Sequence, residues 1–214
     1  MVYDKYVLLL NSCAGGTTMS LDNSKGDRST TSPARLSHAV LRTTRLKEMI
    51  EWYKTVLGAQ VLYQNDFIAF MTYDDEHHRI ALAAVPGLVE KPKRSAGLDH
   101  LAFFYSTFAN WIANYERLKA LGVTPKVSIH HGLTMSLYYR DPDDNGIELS
   151  IDNVEKADWH EWMRTQLGNN PIGVPLDPDD LARKYHAGMP EAELRRFDSS
   201  PRKLDPEILR RMVE

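Results

Sequence analysis

Two histidines and one glutamate stand out because each sits inside a short, apolar, strand-like run. His38 lies in Ser37-His38-Ala39-Val40-Leu41-Arg42, His100 in Asp99-His100-Leu101-Ala102-Phe103-Phe104, and Glu148 in Gly146-Ile147-Glu148-Leu149-Ser150-Ile151. A single histidine on such a run is more often a half-buried, hydrogen-bonded residue than a ligand. A carboxylate there is different, because burial without a partner penalises its charge heavily. Two imidazoles and one carboxylate meeting at a point resolve that cost by holding a divalent ion. The set suits Fe(II), Mn(II) or another first-row ion, and leaves coordination positions open for substrate and oxygen.

The elements that must position these residues form a repeat. The strand pattern at His38 is followed by a helical stretch, Leu46 to Val56, with Met49, Trp52, Tyr53 and Val56 on one face and Gly58 to end it. Three strand candidates follow, Ala59 to Tyr63, Phe67 to Tyr73 and Arg79 to Val85. The order then recurs. After the strand at His100 comes a helix from Phe108 to Leu121, with Trp111, Ile112, Tyr115 and Leu118 on one face and Gly122 to end it. Thr124 to Ile129, Leu133 to Tyr139 and Gly146 to Ile151 are its three strands.

Each half reads βαβββ, over 35–86 and 97–153, with a histidine on the first strand of each. Aligning the last hairpins sets Asp74–Ile80 against Pro142–Ile147, so Ala81 of the first half answers to Glu148 of the second. The expected fold is α+β: paired βαβββ repeats forming a cupped mixed sheet around one cavity. His38 and His100 would then approach across a pseudo-two-fold axis, joined by Glu148.

The rest of the chain differs in texture. Residues 1–34 read as a flexible leader rich in Ser, Thr, Gly, Asn and Asp, 35–153 as the module, and 154–214 as a helical C-terminal extension. Pro171, Pro175, Pro178, Pro190, Pro201 and Pro206 divide that extension into short helices better than into a second sheet. The 214 residues are 43% hydrophobic and 26% charged with a formal charge of −3, so nothing implies a nucleic-acid or anionic-lipid partner. Cys13 is the only cysteine, which excludes an intrachain disulfide and points to a reducing compartment. The apolar run Tyr6–Leu10 is too short for a secretory signal, and no run approaches a membrane span, so the expectation is cytoplasmic.

The segments Ser37-His38-Ala39-Val40, Leu98-Asp99-His100-Leu101-Ala102-Phe103 and Tyr138-Tyr139-Arg140-Asp141-Pro142-Asp143-Asp144-Asn145-Gly146-Ile147-Glu148-Leu149 resemble the vicinal-oxygen-chelate superfamily. That superfamily contains glyoxalases, bleomycin- and fosfomycin-resistance proteins, epimerases and type I extradiol dioxygenases. The resemblance spans roughly residues 35 to 153 and implies the metal set His38, His100 and Glu148. Glyoxalases of this type take a further acid ligand at the end of the first half, where this chain has Ala81. Losing that carboxylate removes a base for proton transfer beside a carbonyl, and opens a coordination position. Three ligands leave room for a chelating diol and dioxygen.

The reading is therefore a non-haem Fe(II)-dependent extradiol dioxygenase that cleaves a catechol-type aromatic diol with O2, with Mn(II) as the alternative ion. The resemblance also implies an ordering tyrosine and an acid/base histidine before the ligand glutamate. Tyr138 lies ten residues before Glu148, and His130 and His131 precede its strand, with His130 slightly favoured as the acid/base. Arg140 follows Tyr138 by two residues and shares its face if the strand alternates. His77 and His78 read as residues of a solvated turn equivalent to that of His130 and His131. The alternatives are a glyoxalase- or fosfomycin-resistance-like lyase, isomerase or transferase, and a small-aromatic binding protein that keeps the cavity without chemistry. The chain is expected to form a homodimer or higher homo-oligomer.

Overall fold

The computed structural model describes residues 32–92, 95–198 and 210. Apart from residues 32–34, the expected leader, with Cys13, lies outside the described residues, as does most of the chain beyond 198. The described chain divides into two compact units, one of residues 32–92 with Asp141–Asn145, the other of residues 95–140 with 146–198. No described helix is long and apolar enough to cross a membrane.

The first unit runs β1 (Ala39–Thr43), α1 (Leu46–Leu57), β2 (Gln60–Gln64), β3 (Ile68–Thr72) and β4 (Ile80–Ala84). Its four strands form one sheet in the order β1-β4-β3-β2, with β1 parallel to β4 and the other pairs antiparallel. Met49, Ile50, Tyr53 and Val56 recur at helical spacing and form the buried face of α1. Gly58 ends the helix with φ of 65°, a conformation that costs glycine little. The 141–145 turn belongs to this unit through two polar ties: the Tyr53 hydroxyl donates to Asp141 Oδ2 at 3.0 Å, and Arg45 Nε meets Asp143 Oδ1 at 3.1 Å.

The second unit repeats the order with β5 (His100–Phe104), α2 (Phe108–Ala120), β6 (Val127–His130), β7 (Thr134–Arg140) and β8 (Gly146–Asp152). Its sheet runs β5-β8-β7-β6-β9, where β9 is Val174–Pro175. Thr107 caps α2 by accepting the Asn110 N–H. At the other end, Gly122 N–H bonds the Lys119 carbonyl and Val123 N–H the Leu118 carbonyl, the paired closure of a Schellman ending. Trp111 Nε1 donates to the Leu149 carbonyl at 3.0 Å and fastens α2 to β8.

Strand registers bear out the repeat. Ala39 pairs with Ile80 and Val40 with Ala81 in the first unit; Leu101 pairs with Ile147 and Ala102 with Glu148 in the second. Counting back one residue makes His38 the counterpart of His100, and Ala81 that of Glu148. Three details differ from expectation. The strand expected over Thr124–Ile129 begins only at Val127, since Pro125 has no N–H for a ladder. The β3–β4 turn that holds His77 and His78 corresponds to the β7–β8 turn, so this pair is not the counterpart of His130 and His131.

The extension also differs. It is helical at α3 (Trp159–Gln166), α4 (Pro178–His186) and α5 (Glu191–Leu194), but it adds β9 to the edge of the sheet. Val174 pairs with His130 and Pro175 with Ile129, an edge position where the missing proline N–H costs no ladder bond.

Candidate metal centre and its neighbours

In the second unit the site is built on one sheet face by strand alternation. Residues directly opposed in a ladder share a face, and β8 sets Glu148 between Ala102 of β5 and Tyr138 of β7. His100 starts β5 opposite Gly146. A Cβ at Gly146 would stand 2.4 Å from the Asp99 carbonyl oxygen, so only glycine lets the two strand starts approach this closely.

His100 Nε2 faces Glu148 Oε2 at 2.8 Å, and Nδ1 faces Asp99 Oδ2 at 2.6 Å. The hydrogen bond with Glu148, helped by Asp99 and opposed by burial, raises the imidazole to about 9. Burial pushes the Glu148 carboxyl up, yet the hydrogen bonds from His100 and Ser136 together hold it below its ordinary value. Ser136 Oγ donates to the other Glu148 oxygen at 2.5 Å. This is a cation-seeking arrangement. A nitrogen and a carboxylate oxygen converge, and the second ring nitrogen is oriented by another carboxylate, as histidines that bind metals require. These donors fit a divalent first-row ion.

Tyr138 projects beside them. Its ring edge meets His100 with centroids 5.3 Å apart, and its hydroxyl lies 2.8 Å from His131 Nε2. Burial and the Glu148 charge raise the phenol well above its ordinary value. His131 is lowered by burial, although the Glu148 charge and a hydrogen bond to the Ile172 backbone partly offset this. It is therefore a neutral base near neutral pH.

His130 points elsewhere. Val127 and Ile129 of β6 oppose Tyr138 and Ser136, which leaves Ser128 and His130 on the other face with Leu137 and Met135. There Nδ1 accepts the Gly132 N–H at 3.1 Å, Nε2 stands 3.2 Å from the Arg195 carbonyl, and the ring packs on Phe197 at 5.0 Å. Burial lowers this imidazole to about 4. Of the two histidines, His131 reaches Tyr138; His130 is occupied in packing.

The first unit carries His38, one residue before β1. Arg79 Nη1 fixes the chain leading to it by donating to the carbonyls of Leu36 at 2.9 Å and Ser37 at 3.0 Å. The His38 ring packs on His78 at 4.2 Å, and His77 Nδ1 lies 2.6 Å from His78 Nδ1. Burial, with the adjacent imidazoles of His38 and His77, lowers His78. This neighbourhood went unread in the sequence. It follows from the parallel pairing of β1 with β4, which brings the residues preceding both strands together and which no local pattern in the sequence announces.

The structure thus brings together His100, Glu148, Tyr138 and His131 in one unit, and sets His38 with His77 and His78 in the other. Within neither unit do three His, Cys, Asp or Glu side chains gather as a metal-binding group among the described residues.

Comparison with known proteins settles the family. The model of the glyoxalase/bleomycin resistance protein/dioxygenase superfamily matches residues 35–149, from the approach to His38 through Glu148. The chain belongs to this superfamily. Among its superfamily relatives is a protein from Rhodococcus globerulus named biphenyl-2,3-diol 1,2-dioxygenase 3, 44% identical over 166 residues that cover 75% of this chain and 86% of the relative. Biphenyl-2,3-diol 1,2-dioxygenase 2 of the same organism is 41% identical over 163 residues, again 75% and 86% of the two chains. A catechol-2,3-dioxygenase of Bacillus subtilis is 31% identical over 144 residues, 63% of this chain and 46% of the relative. Against this superfamily background, Ala81 at the place of Glu148 leaves the first half without an acid on its last strand.

Proposed function

We propose that this superfamily member is an extradiol ring-cleavage dioxygenase that opens a catechol-type aromatic diol with O2, using Fe(II) held by His38, His100 and Glu148. The observation that carries the reading is the identity of 44% with a biphenyl-2,3-diol 1,2-dioxygenase along 86% of its length. The donor chemistry agrees. Two imidazoles and one carboxylate suit Fe(II), with Mn(II) as the other fitting ion, and leave positions for a bidentate diol and oxygen. The repeat supports His38 as the partner of His100. A glyoxalase-like reading is weakened by Ala81, and a binding protein needs no paired His100 and Glu148.

Bound iron supplies the electron transfer between diol and oxygen. The chain's own groups hold the diol and handle its protons. His131 is neutral, and with one ring nitrogen engaged by the Ile172 backbone its Nε2 accepts the Tyr138 hydroxyl hydrogen. The Tyr138 oxygen lone pairs then face a diol hydroxyl, and its proton can pass through the phenol to His131. His78 is a second neutral imidazole available for proton transfer, beside His38. The module 35–153 is the catalytic body in this reading, and a homo-oligomer its working form.

Oxygen uptake by protein loaded with Fe(II) without air, then given biphenyl-2,3-diol or catechol, tests the reaction. Oxygen consumption with a yellow ring-opened product is expected. No uptake and no colour across such diols would end the dioxygenase reading. His100→Ala should lose the metal, whereas Tyr138→Phe should retain it and turn over about a hundredfold more slowly. Metal loss in Tyr138→Phe would contradict the assigned roles.

A further inference from the structure

We propose that the Asn170–Gly173 segment of the C-terminal extension is a positioning clip for the His131–Tyr138 pair, setting which ring nitrogen of His131 carries the hydrogen. The proposal rests on the reading of Tyr138 and His131 as the groups that handle the diol. The segment is built as a closed turn. Asn170 is 3% exposed; its Oδ1 accepts the Gly173 N–H at 2.9 Å and its Nδ2 donates to the Gly173 carbonyl at 3.0 Å. Both ends of one buried amide are thereby spent on one residue.

That residue touches the histidine turn. Gly173 has φ of 98°, and a Cβ there would stand 2.3 Å from the His130 carbonyl oxygen and 2.8 Å from His131 Cα. β9 then continues along β6, and the Leu176 N–H donates to the Ser128 carbonyl at 2.9 Å. Between Asn170 and Gly173, the side chain of Ile172 packs on Val127 and Ile129, the pair against which Tyr138 also packs, while its backbone takes a hydrogen bond from the His131 ring.

The chemical consequence follows from the two faces of the ring. Nε2 is the nitrogen beside the Tyr138 hydroxyl, at 2.8 Å, so Nδ1 is the one left to donate to the Ile172 carbonyl. A neutral ring with hydrogen on Nδ1 has an accepting Nε2. A free imidazole in water prefers the other tautomer, with hydrogen on Nε2. That form would donate to Tyr138, turn the phenol hydrogen outward and remove the acceptor for the diol proton. The extension therefore contributes to the chemistry through a backbone carbonyl, and Asn170 is the positioning residue that holds this carbonyl in place.

The test is Asn170→Ala and Asn170→Asp in the full-length iron-loaded chain, alone and combined with Tyr138→Phe. Asn170→Ala should lower kcat about tenfold with KM nearly unchanged, and Asn170→Asp, which keeps the acceptor for Gly173, should recover part of the loss. In the Tyr138→Phe background the Asn170→Ala effect should shrink to less than about twofold, because the two act through one contact. Nitrogen-15 shifts of the His131 ring in the full-length metal-free protein should show hydrogen on Nδ1, moving to Nε2 in Asn170→Ala. An unchanged kcat, a full tenfold loss persisting beside Tyr138→Phe, or a His131 tautomer that ignores Asn170 would each overturn the clip. Should Asn170→Ala not fold, Asn170→Asp carries the same comparisons at smaller amplitude. If Tyr138→Phe alone leaves turnover unchanged, the reading of the site fails, and the ring shifts still decide whether the clip exists.

Discussion

Replacing His130 by Gln makes a measurable separation between the two adjacent histidines. In the fold, burial chiefly, with the neighbouring His131, depresses the His130 imidazole to about 4; the Arg195 carbonyl opposes this. In the unfolded chain it returns to about 6.5. Between those values the unfolded chain binds more protons than the folded one, so stability is full above about pH 6.5 and falls as pH drops toward 4. At about 1.4 kcal/mol per unit, and allowing for incomplete burial of the ring, the loss comes to about 2–3 kcal/mol. Gln at this position does not titrate. Urea unfolding of both chains at about pH 7.5 and about pH 4.5 isolates the effect, since other titrating groups are common to the two and cancel. Wild type should be the more stable chain at the higher pH, and its advantage should shrink by about 2 kcal/mol or reverse at the lower. A gap that stays constant within about 0.5 kcal/mol would refute the assignment of His130 as a buried neutral packing residue. The same variant should keep ring cleavage, whereas His131→Gln should lose about a hundredfold in turnover.

Two further substitutions probe the framework around the site. In Gly132→Ala the new Cβ would stand 2.4 Å from the Trp162 ring and 2.8 Å from Phe197 at a residue with φ of 85°. We expect a loss of about 2–4 kcal/mol, read as a lower melting temperature, and an unchanged melt would show that the Trp162 and Phe197 rings do not close over this turn. Tyr53→Phe removes the hydroxyl that donates to the buried Asp141 carboxylate at 3.0 Å. A cost of about 1.5–3 kcal/mol in chemical unfolding is expected, and a neutral result would mean that Asp141 is satisfied by its own turn through Asn145 and Asp143.

What could be read from the sequence was carried by local periodicity. Alternation and helix spacing sufficed for the two βαβββ halves, for His38 matching His100, and for Ala81 matching Glu148, because each rule involves neighbours along the chain. What could not be read depended on which strand lies beside which. His130 and His131 are adjacent, and spacing to Glu148 leaves one residue of doubt; the pairing of Val127 with Tyr138 removes it, since a one-residue slip exchanges the faces. His77 and His78 read as turn residues until the parallel β1–β4 pairing brings His38 against them. The strand Val174–Pro175 is the extreme case, two residues with no periodicity of their own, held by a buried amide and a glycine against the His130 carbonyl. These three features share a cause and a location. Each lies where a second segment of chain touches a histidine, so the residues that choose the ring's face, neighbour and tautomer are remote in sequence from the residue they act on. The residues proposed as ligands are therefore the part that local pattern exposes, while those proposed to tune the proton chemistry emerge only with the sheet register and the extension in place.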